Sequence, residues 1–164
     1  MKSIIYILLT FILLGWYLYE PTKDLYLDFI HKKMLKYIQE NYILLSPNNF
    51  KMGDIIYNQR CHLNAVQNIL ENKSKSVHLV VTYNKNDDEM PFIIHFINKD
   101  ENDKWVDNTW GWCYKFYDYY YIKEVKETEF DTIGNILRDT KKEFLNKFSN
   151  KILNEIFNVK YNIF

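Results

Sequence analysis

The sequence predicts an α+β domain in which helices pack on an antiparallel sheet, with an apolar helix at its N-terminus. Three observations predict this class: apolar residues recur at helical spacing towards both ends, strand-like runs alternate with polar turns through the middle, and residues 4–19 are nearly all apolar. A chain of 164 residues is long enough for one domain with its own core. We therefore expect a transmembrane or signal-anchor helix over residues 3–19 and a single domain over residues 22–164.

The apolar stretch from Ile4 to Tyr19 favours an uncleaved membrane anchor. A secretory signal should end in small residues, whereas this stretch ends in large aromatic and aliphatic side chains just before Glu20 and Pro21. Its length at helical rise is roughly 25 Å, against a hydrocarbon core of about 30 Å. The alternative is an apolar helix buried in the core. We expect a single-pass protein whose partner is the lipid bilayer, and lysines on both flanks leave the side of the membrane open.

Two further helical regions are predicted on either side of the strands. The segment from Asp24 to Tyr42 has apolar residues at helical spacing, namely Leu27, Ile30, Met34 and Ile38. From Asp131 onwards the same spacing returns, and Gly134 and Ser149 are candidate breaks. Both patterns are typical of helices that cover one face of a sheet.

Four strands are predicted near residues 77–84, 91–98, 104–110 and 114–123. The polar segment after Ile97 would turn the chain, so the third strand should return antiparallel to the second. We predict a register that places His95 opposite Asp107 and Ile97 opposite Trp105. This register sets His95 and Asp107 on one face, whereas a slip of one residue would turn the aspartate away.

A short helix before the strands carries Cys61 in its first turn. Asn58 is a suitable N-cap, so Gln59, Arg60 and Cys61 would follow it in a helix running to about Asn72. The N–H groups of the first turn, the helix dipole and the charge of Arg60 favour a thiolate. Helical rotation places Cys61 between a predicted buried stripe (Leu63, Val66, Ile69 and Leu70) and a predicted wet face (Asn64, Gln67, Asn68 and Glu71).

Cys61, His95 and Asp107 follow one another as a nucleophile, a base and an orienting carboxylate would. The alternatives are a small buried cysteine and a core histidine bonded to backbone, beside an aspartate that caps a turn. His62 is a weaker candidate for the base. Adjacent helical residues project about 100° apart, so we expect His62 to turn away from the Cys61 sulfur.

These segments resemble the transglutaminase-like branch of the papain-like cysteine enzymes. In that branch a cysteine at a helix start, a histidine on a strand and an aspartate follow in this order. The aspartate often precedes Pro-Thr, where this chain has Asn108-Thr109. The segments 60–65, 95–98 and 107–111 are also similar to small phage-type proteins. The resemblance covers residues 57 to 122 and implies a papain/transglutaminase-like core.

The resemblance also implies roles for individual residues. Cys61, His95 and Asp107 would be the catalytic nucleophile, base and orienting group. Such enzymes carry an aromatic or amide side chain ahead of the cysteine for the oxyanion hole, so Gln59 and Tyr57 are the candidates here, with Gln59 touching substrate.

A substrate wall and a substrate class can also be named. Independently of the resemblance, Trp110 is the candidate for a wall of the substrate groove, because Gly111 after it allows close backbone approach. The substrate would be a protein or peptide-like amide, or an ester.

Composition excludes several other functions. The chain has 21 Lys and Arg residues and 21 Asp and Glu residues, so no net field favours nucleic acid. Its two cysteines are too few for a disulfide framework. A zinc-stabilised binding domain is an alternative that the spacing of the Cys and His residues does not support, and we expect no metal and no cofactor.

Two hypotheses remain. The first is a membrane-anchored thiol hydrolase or acyltransferase that forms a thioester. The second is a non-catalytic membrane-bound interaction protein, such as a phage or host-envelope factor, in which the three residues are structural.

Overall fold

The described residues of the chain fold into a six-stranded sheet with helices packed on it, which confirms the predicted mixture of helices and sheet. The computed structural model describes residues 2–54, 56, 60–87 and 90–159, without the side chains of residues 2–13 and 16. The helices are α1 (Lys2–Asn41), α2 (Cys61–Leu70), α3 (Ile133–Phe148) and α4 (Lys151–Ile156). The strands are β1 (Ile43–Leu44), β2 (Phe50–Met52), β3 (Ser76–Tyr83), β4 (Phe92–Lys99), β5 (Trp105–Asp107) and β6 (Asp118–Val125).

The sheet order is β1-β6-β3-β4-β5-β2. Neighbouring strands are antiparallel except for β2 and β5, which are parallel. The four predicted strands correspond to β3, β4, β5 and β6, but β5 ends at Asp107 and β6 begins only at Asp118. β1 and β2 were not predicted, because runs of two and three residues are too short for an alternating pattern.

The predicted register between β4 and β5 is wrong by two residues. Asn98 pairs with Val106 and Lys99 pairs with Trp105, rather than Ile97 with Trp105. A slip of two residues keeps every side chain on its face, because side chains alternate with a period of two. His95 and Asp107 therefore still share a face, and Asp107 approaches His95 diagonally.

A turn centred on Asp100 returns the chain from β4 to β5, as predicted. Its Oδ1 atom accepts hydrogen bonds from the backbone N–H groups of Asn102 and Lys104, each at 2.9 Å. Asp103 adopts a left-handed φ of 60° within this turn. The carboxylate thus replaces backbone partners where the strand pairing stops.

The predicted anchor and the predicted amphipathic helix form one continuous helix, α1, with Pro21 inside it. Of the four apolar residues predicted at helical spacing, Ile30, Met34 and Ile38 are buried in the core and Leu27 is partly buried against it. Within the part of the chain that the structure describes, no helix has the length and apolar character needed to cross a membrane. Most side chains of the predicted membrane segment, those of residues 3–13 and 16, lie outside that part.

Helix α2 begins later than predicted, at Cys61, with Arg60 in the N-cap position. The predicted cap Asn58 and the predicted oxyanion residue Gln59 lie outside the described residues. The helix ends in a Schellman motif: Asn72 has a φ of 54°, and the Lys73 N–H donates to the Asn68 carbonyl at 2.9 Å.

The predicted faces of α2 are confirmed in part: Val66 and Ile69 pack against the core and Gln67 and Glu71 are exposed, but the other four assignments are wrong. Its buried residues are Cys61, Asn64, Ala65 and Asn68, whereas two leucines of the predicted stripe are exposed, Leu63 at 48% and Leu70 at 70%. Hydropathy favours leucine inside and asparagine outside. Here the asparagines are buried because each of them is hydrogen-bonded in the interior.

The two faces of the sheet carry different cores. On one face α1, α2 and α3 cover an aliphatic and aromatic cluster that includes Met34, Cys61 and Phe96. On the other face lies an aromatic cluster around Val80, Ile97, Trp105 and Tyr119. After α3 the helix breaks at Ser149, one of the two predicted positions, whereas Gly134 lies in the first turn of α3.

Candidate active site

Asp107 ends β5 and holds the histidine of the neighbouring strand. Its Oδ2 atom accepts hydrogen bonds from His95 Nε2 at 2.8 Å and from the Tyr119 hydroxyl at 2.7 Å. Its Oδ1 atom accepts from the backbone N–H groups of Thr109 and Trp110, each at 2.9 Å. Asp107 therefore does both things that were predicted as alternatives: it caps the turn after β5, and it contacts His95.

These contacts keep Asp107 ionised although it is fully buried. Burial alone would raise the pKa of this carboxyl, but the charge and hydrogen bond of His95 outweigh burial and hold the pKa below its usual range. The Trp110 N–H and the Tyr119 hydroxyl act in the same direction. A carboxylate with several donors is the form that orients a histidine ring.

The His95 ring stacks on an aromatic pair, Trp110 and Tyr117. Trp110 stacks on it with ring centroids 4.0 Å apart and an angle of 7° between the planes. Trp110 also stacks on Tyr117, and the centroids of these two rings lie 4.5 Å apart. Trp110, the predicted substrate wall, thus lies half-buried against the proposed base.

The Cys61 side chain reaches the same histidine from α2. Its thiol is in hydrogen-bond contact with the imidazole of His95 and with the backbone of Phe96. Because Nε2 of His95 is bonded to Asp107, Nδ1 is the ring atom left for the thiol. The structure therefore brings the three predicted residues together in the predicted order.

The expectation that His62 turns away from Cys61 is wrong. The His62 side chain also contacts the thiol and lowers its pKa. Both side chains approach the same residue of β4, since the His62 ring lies 6.4 Å from that of Phe96 and the thiol bonds to the Phe96 backbone. The His62 ring thus lies between Phe96 of β4 and Gly134 of α3, where a Cβ atom would lie 3.9 Å from His62 Nε2.

The short length of β5 explains how a helix on one face can reach a histidine on the other. Among the described residues β5 pairs with β4 only at Asn98 and Lys99. The N-terminus of α2 lies next to β4 at Phe96, beyond the last paired residue. Cys61 thus meets His95 at an edge of the sheet, where the two cores join.

Cys61 and His95 form an ion pair, and the Asp107 carboxylate holds the imidazole of that pair. Burial alone would raise the pKa of the Cys61 thiol, but the charge of His95 and the hydrogen bonds of His62, His95 and the Phe96 backbone together outweigh burial and lower the pKa to about 6. Burial alone would lower the pKa of His95, but Asp107 and the Cys61 thiolate outweigh it and raise the pKa to about 10. Near neutral pH the pair is a thiolate and an imidazolium.

Sequence reasoning did not find three residues near the site: Tyr119, His62 in its contact with Cys61, and Lys141 of α3. Lys141 lies in electrostatic range of the thiol; burial lowers the pKa of Lys141 and the thiolate acts in the opposite direction. Tyr119 and Lys141 come from elements far along the chain. An aromatic strand and an amphipathic helix carry no local signal that would single them out.

Two further predictions concern the oxyanion-hole candidates and a metal site. Gln59 and Tyr57 lie outside the described residues. No group of three or more His, Cys, Asp and Glu side chains in the described ranges is arranged to hold a metal ion.

Comparisons of this chain with protein-family models, with curated proteins and with solved structures find no match. Its geometry alone therefore defines the class of the site: a thiol, an imidazole and a carboxylate joined in one hydrogen-bonded series. Thiol-based acyl chemistry uses this arrangement.

Proposed function

We propose that this chain is a membrane-anchored thiol hydrolase or acyltransferase with a transglutaminase-like core, acting on an amide or ester of a protein or peptide-like substrate. One observation carries the proposal: Cys61, at the start of α2, contacts His95, which donates to the buried Asp107 at 2.8 Å. A lone buried cysteine needs no such arrangement of partners.

In the proposed reaction the Cys61 thiolate attacks the carbonyl carbon of the substrate. The carbon–sulfur bond forms, the bond to the leaving group breaks, and the His95 imidazolium gives its proton to the departing amine or alcohol. The neutral imidazole then takes a proton from water or from an acceptor amine, which attacks the thioester and releases Cys61 as thiolate. Asp107 keeps Nε2 protonated and the ring oriented throughout.

The membrane part of the proposal has separate support. It rests on the apolar sequence of residues 3–19. These residues belong to the same continuous helix, α1, whose later part packs on the core. We expect the full chain to stay with the membrane pellet after alkaline carbonate washing and to leave it in detergent. Release by carbonate alone would refute the anchor without touching the proposed chemistry.

The first test is the pH dependence of Cys61 alkylation by iodoacetamide in detergent-solubilised protein carrying Cys113→Ser. The rate should rise with pH around a midpoint near 6, because only the thiolate reacts and the pKa of Cys61 is lowered to about 6. In His95→Ala the midpoint should move towards the free-cysteine value of about 8.5.

His78→Ala is the matched control for this test. His78 is also buried in the sheet but bonds to Ser76 at 2.7 Å. Its removal should leave the Cys61 midpoint in place. A wild-type midpoint near 8.5 that His95→Ala does not change would instead favour the non-catalytic interaction protein.

A chromogenic acetate ester then tests turnover. We expect release of the chromophore together with one acetyl group on Cys61, seen by intact mass, and neither in Cys61→Ala. Added primary amine distinguishes the two activities, because an acyltransferase yields the amide and a hydrolase yields acetate. Absence of both acyl-enzyme and turnover would contradict the proposed reaction for simple esters.

A further inference from the structure

A buried asparagine joins the segments that carry the three site residues. Asn98 lies on β4, three residues after His95, and is fully buried. Its Nδ2 group donates to the Ala65 carbonyl of α2 at 3.0 Å and to the Ser76 carbonyl of β3 at 3.2 Å. Its Oδ1 atom accepts from Asn108 Nδ2 at 3.1 Å.

A second bond links the cysteine helix to the aspartate turn. Asn64 Nδ2 of α2 donates to Thr109 Oγ1 at 3.0 Å, and both residues are buried. Asn64 is three residues from Cys61, and Thr109 is two residues from Asp107. Together with Asn98 these side chains form a polar network that connects α2, β4 and the turn after β5.

The position of this network matters because the chain joins α2 to β3 and not to the strands that hold His95 and Asp107. The thiol and the imidazole sit on different elements, so their separation depends on how α2 is seated. Hydrogen bonds to fixed backbone carbonyls set a distance and a direction, whereas apolar contacts allow sliding. A misplacement of about 1 Å between reacting groups can cost about a hundredfold in rate.

We propose that Asn98 is a positioning residue that sets the separation between the Cys61 thiol and the His95 imidazole by fixing α2 to β4 and to the Asp107 turn. This inference rests on the proposed function for its consequence in catalysis. It also gives a role to the asparagines and the threonine of the sequence segments 60–65, 95–98 and 107–111, which the catalytic residues alone do not explain.

The test compares Asn98→Leu with wild type, both carrying Cys113→Ser. Leucine has nearly the shape of asparagine but neither donates nor accepts, so the bond from Asn98 to the Ala65 carbonyl of α2 is lost. We expect the midpoint of Cys61 alkylation to rise by about one pH unit or more, and the rate at pH 6.5 to fall about threefold or more as the thiolate fraction drops. Asn108→Ala removes a single bond of the network and should give a smaller shift in the same direction.

Asn68→Leu is the matched control. Asn68 is a buried asparagine of the same helix, but its side chain bonds at 2.8 Å to the Asn64 carbonyl within α2. It should lower resistance to urea as Asn98→Leu does, yet leave the alkylation midpoint unchanged. A merely structural role for Asn98 predicts the same behaviour in both variants.

The outcomes separate the two proposals. A wild-type midpoint near 6 with no shift in folded Asn98→Leu, or in Asn108→Ala should the former not fold, overturns the positioning role alone. A wild-type midpoint near 8.5 overturns the thiolate–imidazolium pair and the positioning role together.

Discussion

At the scale of single residues, Asp107 joins the fold to the chemistry because its two oxygens have separate tasks. One oxygen closes the turn after β5 through two backbone N–H groups, and the other receives His95 and Tyr119. Any change that moves the turn also moves the orienting carboxylate. Local backbone geometry and the state of the imidazole are therefore coupled in one side chain.

The Tyr119 hydroxyl should stabilise the folded chain through this carboxylate. Tyr119→Phe keeps the ring in its aromatic cluster but removes one of the two donors to Asp107 Oδ2. We expect a loss of about 1–2 kcal/mol in the free energy of unfolding, measured by urea titration, because a buried bond to a charged group is lost. The pKa of Asp107 should rise, since the hydroxyl helps to lower it.

Tyr17→Phe serves as the control for that measurement, because the Tyr17 side chain is 79% exposed on α1. Because Tyr17 lies in the proposed anchor, outside the buried core of the domain, its hydroxyl should contribute nothing measurable to the free energy of unfolding. Equal stability of wild type and Tyr119→Phe would show that the bond to Asp107 does not stabilise the fold.

At the scale of elements, β2 brings a glycine against the aspartate turn. A Cβ atom at Gly53 would lie 2.5 Å from the Asp107 carbonyl oxygen and 2.9 Å from Asn108 Oδ1. Only a residue without a side chain lets the chain after β2 approach this closely. Gly53 thus belongs to the support of the site although it carries no functional group.

Gly53→Ala should weaken both the fold and the site. The β2–β5 pair must separate to admit the methyl group, so we expect a cost of about 1–3 kcal/mol in unfolding free energy. Alkylation of Cys61 near neutral pH should slow, since the Asp107 turn moves with β5. Gly15→Ala is the control, because nothing lies within 4 Å of its Cβ position. Unchanged alkylation in Gly53→Ala would mean that the turn tolerates the shift.

The same elements show what the sequence can and cannot predict. The order and spacing of Cys61, His95 and Asp107 predicted a shared site. His95 and Asp107 lie on adjacent strands, and the alternation of side chains along each strand places both on the same face. The predicted register between those strands was off by two residues, because a slip of two leaves every side chain on the same face and the sequence pattern cannot distinguish it. The faces of α2 were misassigned in part, because the partners of Asn64 and Asn68 become available only in the folded chain.

At the scale of the whole molecule, the site lies where two cores meet. The helices cover one face of the sheet and contribute Cys61, whereas the aromatic cluster on the other face surrounds His95. All three site residues are at least nine-tenths buried, Cys61 being 8% exposed. An ion pair at such a place ties the protonation of the site to the stability of the entire fold.

The stability difference between wild type and Cys61→Ala should therefore depend on pH. The lowered pKa of Cys61 adds stability that is lost as pH falls through about 6, and the raised pKa of His95 adds stability that is lost as pH rises through about 10. The difference in unfolding free energy should be largest near pH 8 and smaller at both extremes, by on the order of 1 kcal/mol.

Urea titrations from about pH 5 to about pH 11 measure this difference, and Cys113→Ala provides the matched thiol control. Removal of packing alone lowers stability by the same amount at every pH, so the control difference should stay flat. A flat difference for Cys61→Ala as well would mean that the native thiol is neutral across the range. In that case Cys61 would be a packing residue, and the contact with His95 would not create a nucleophile.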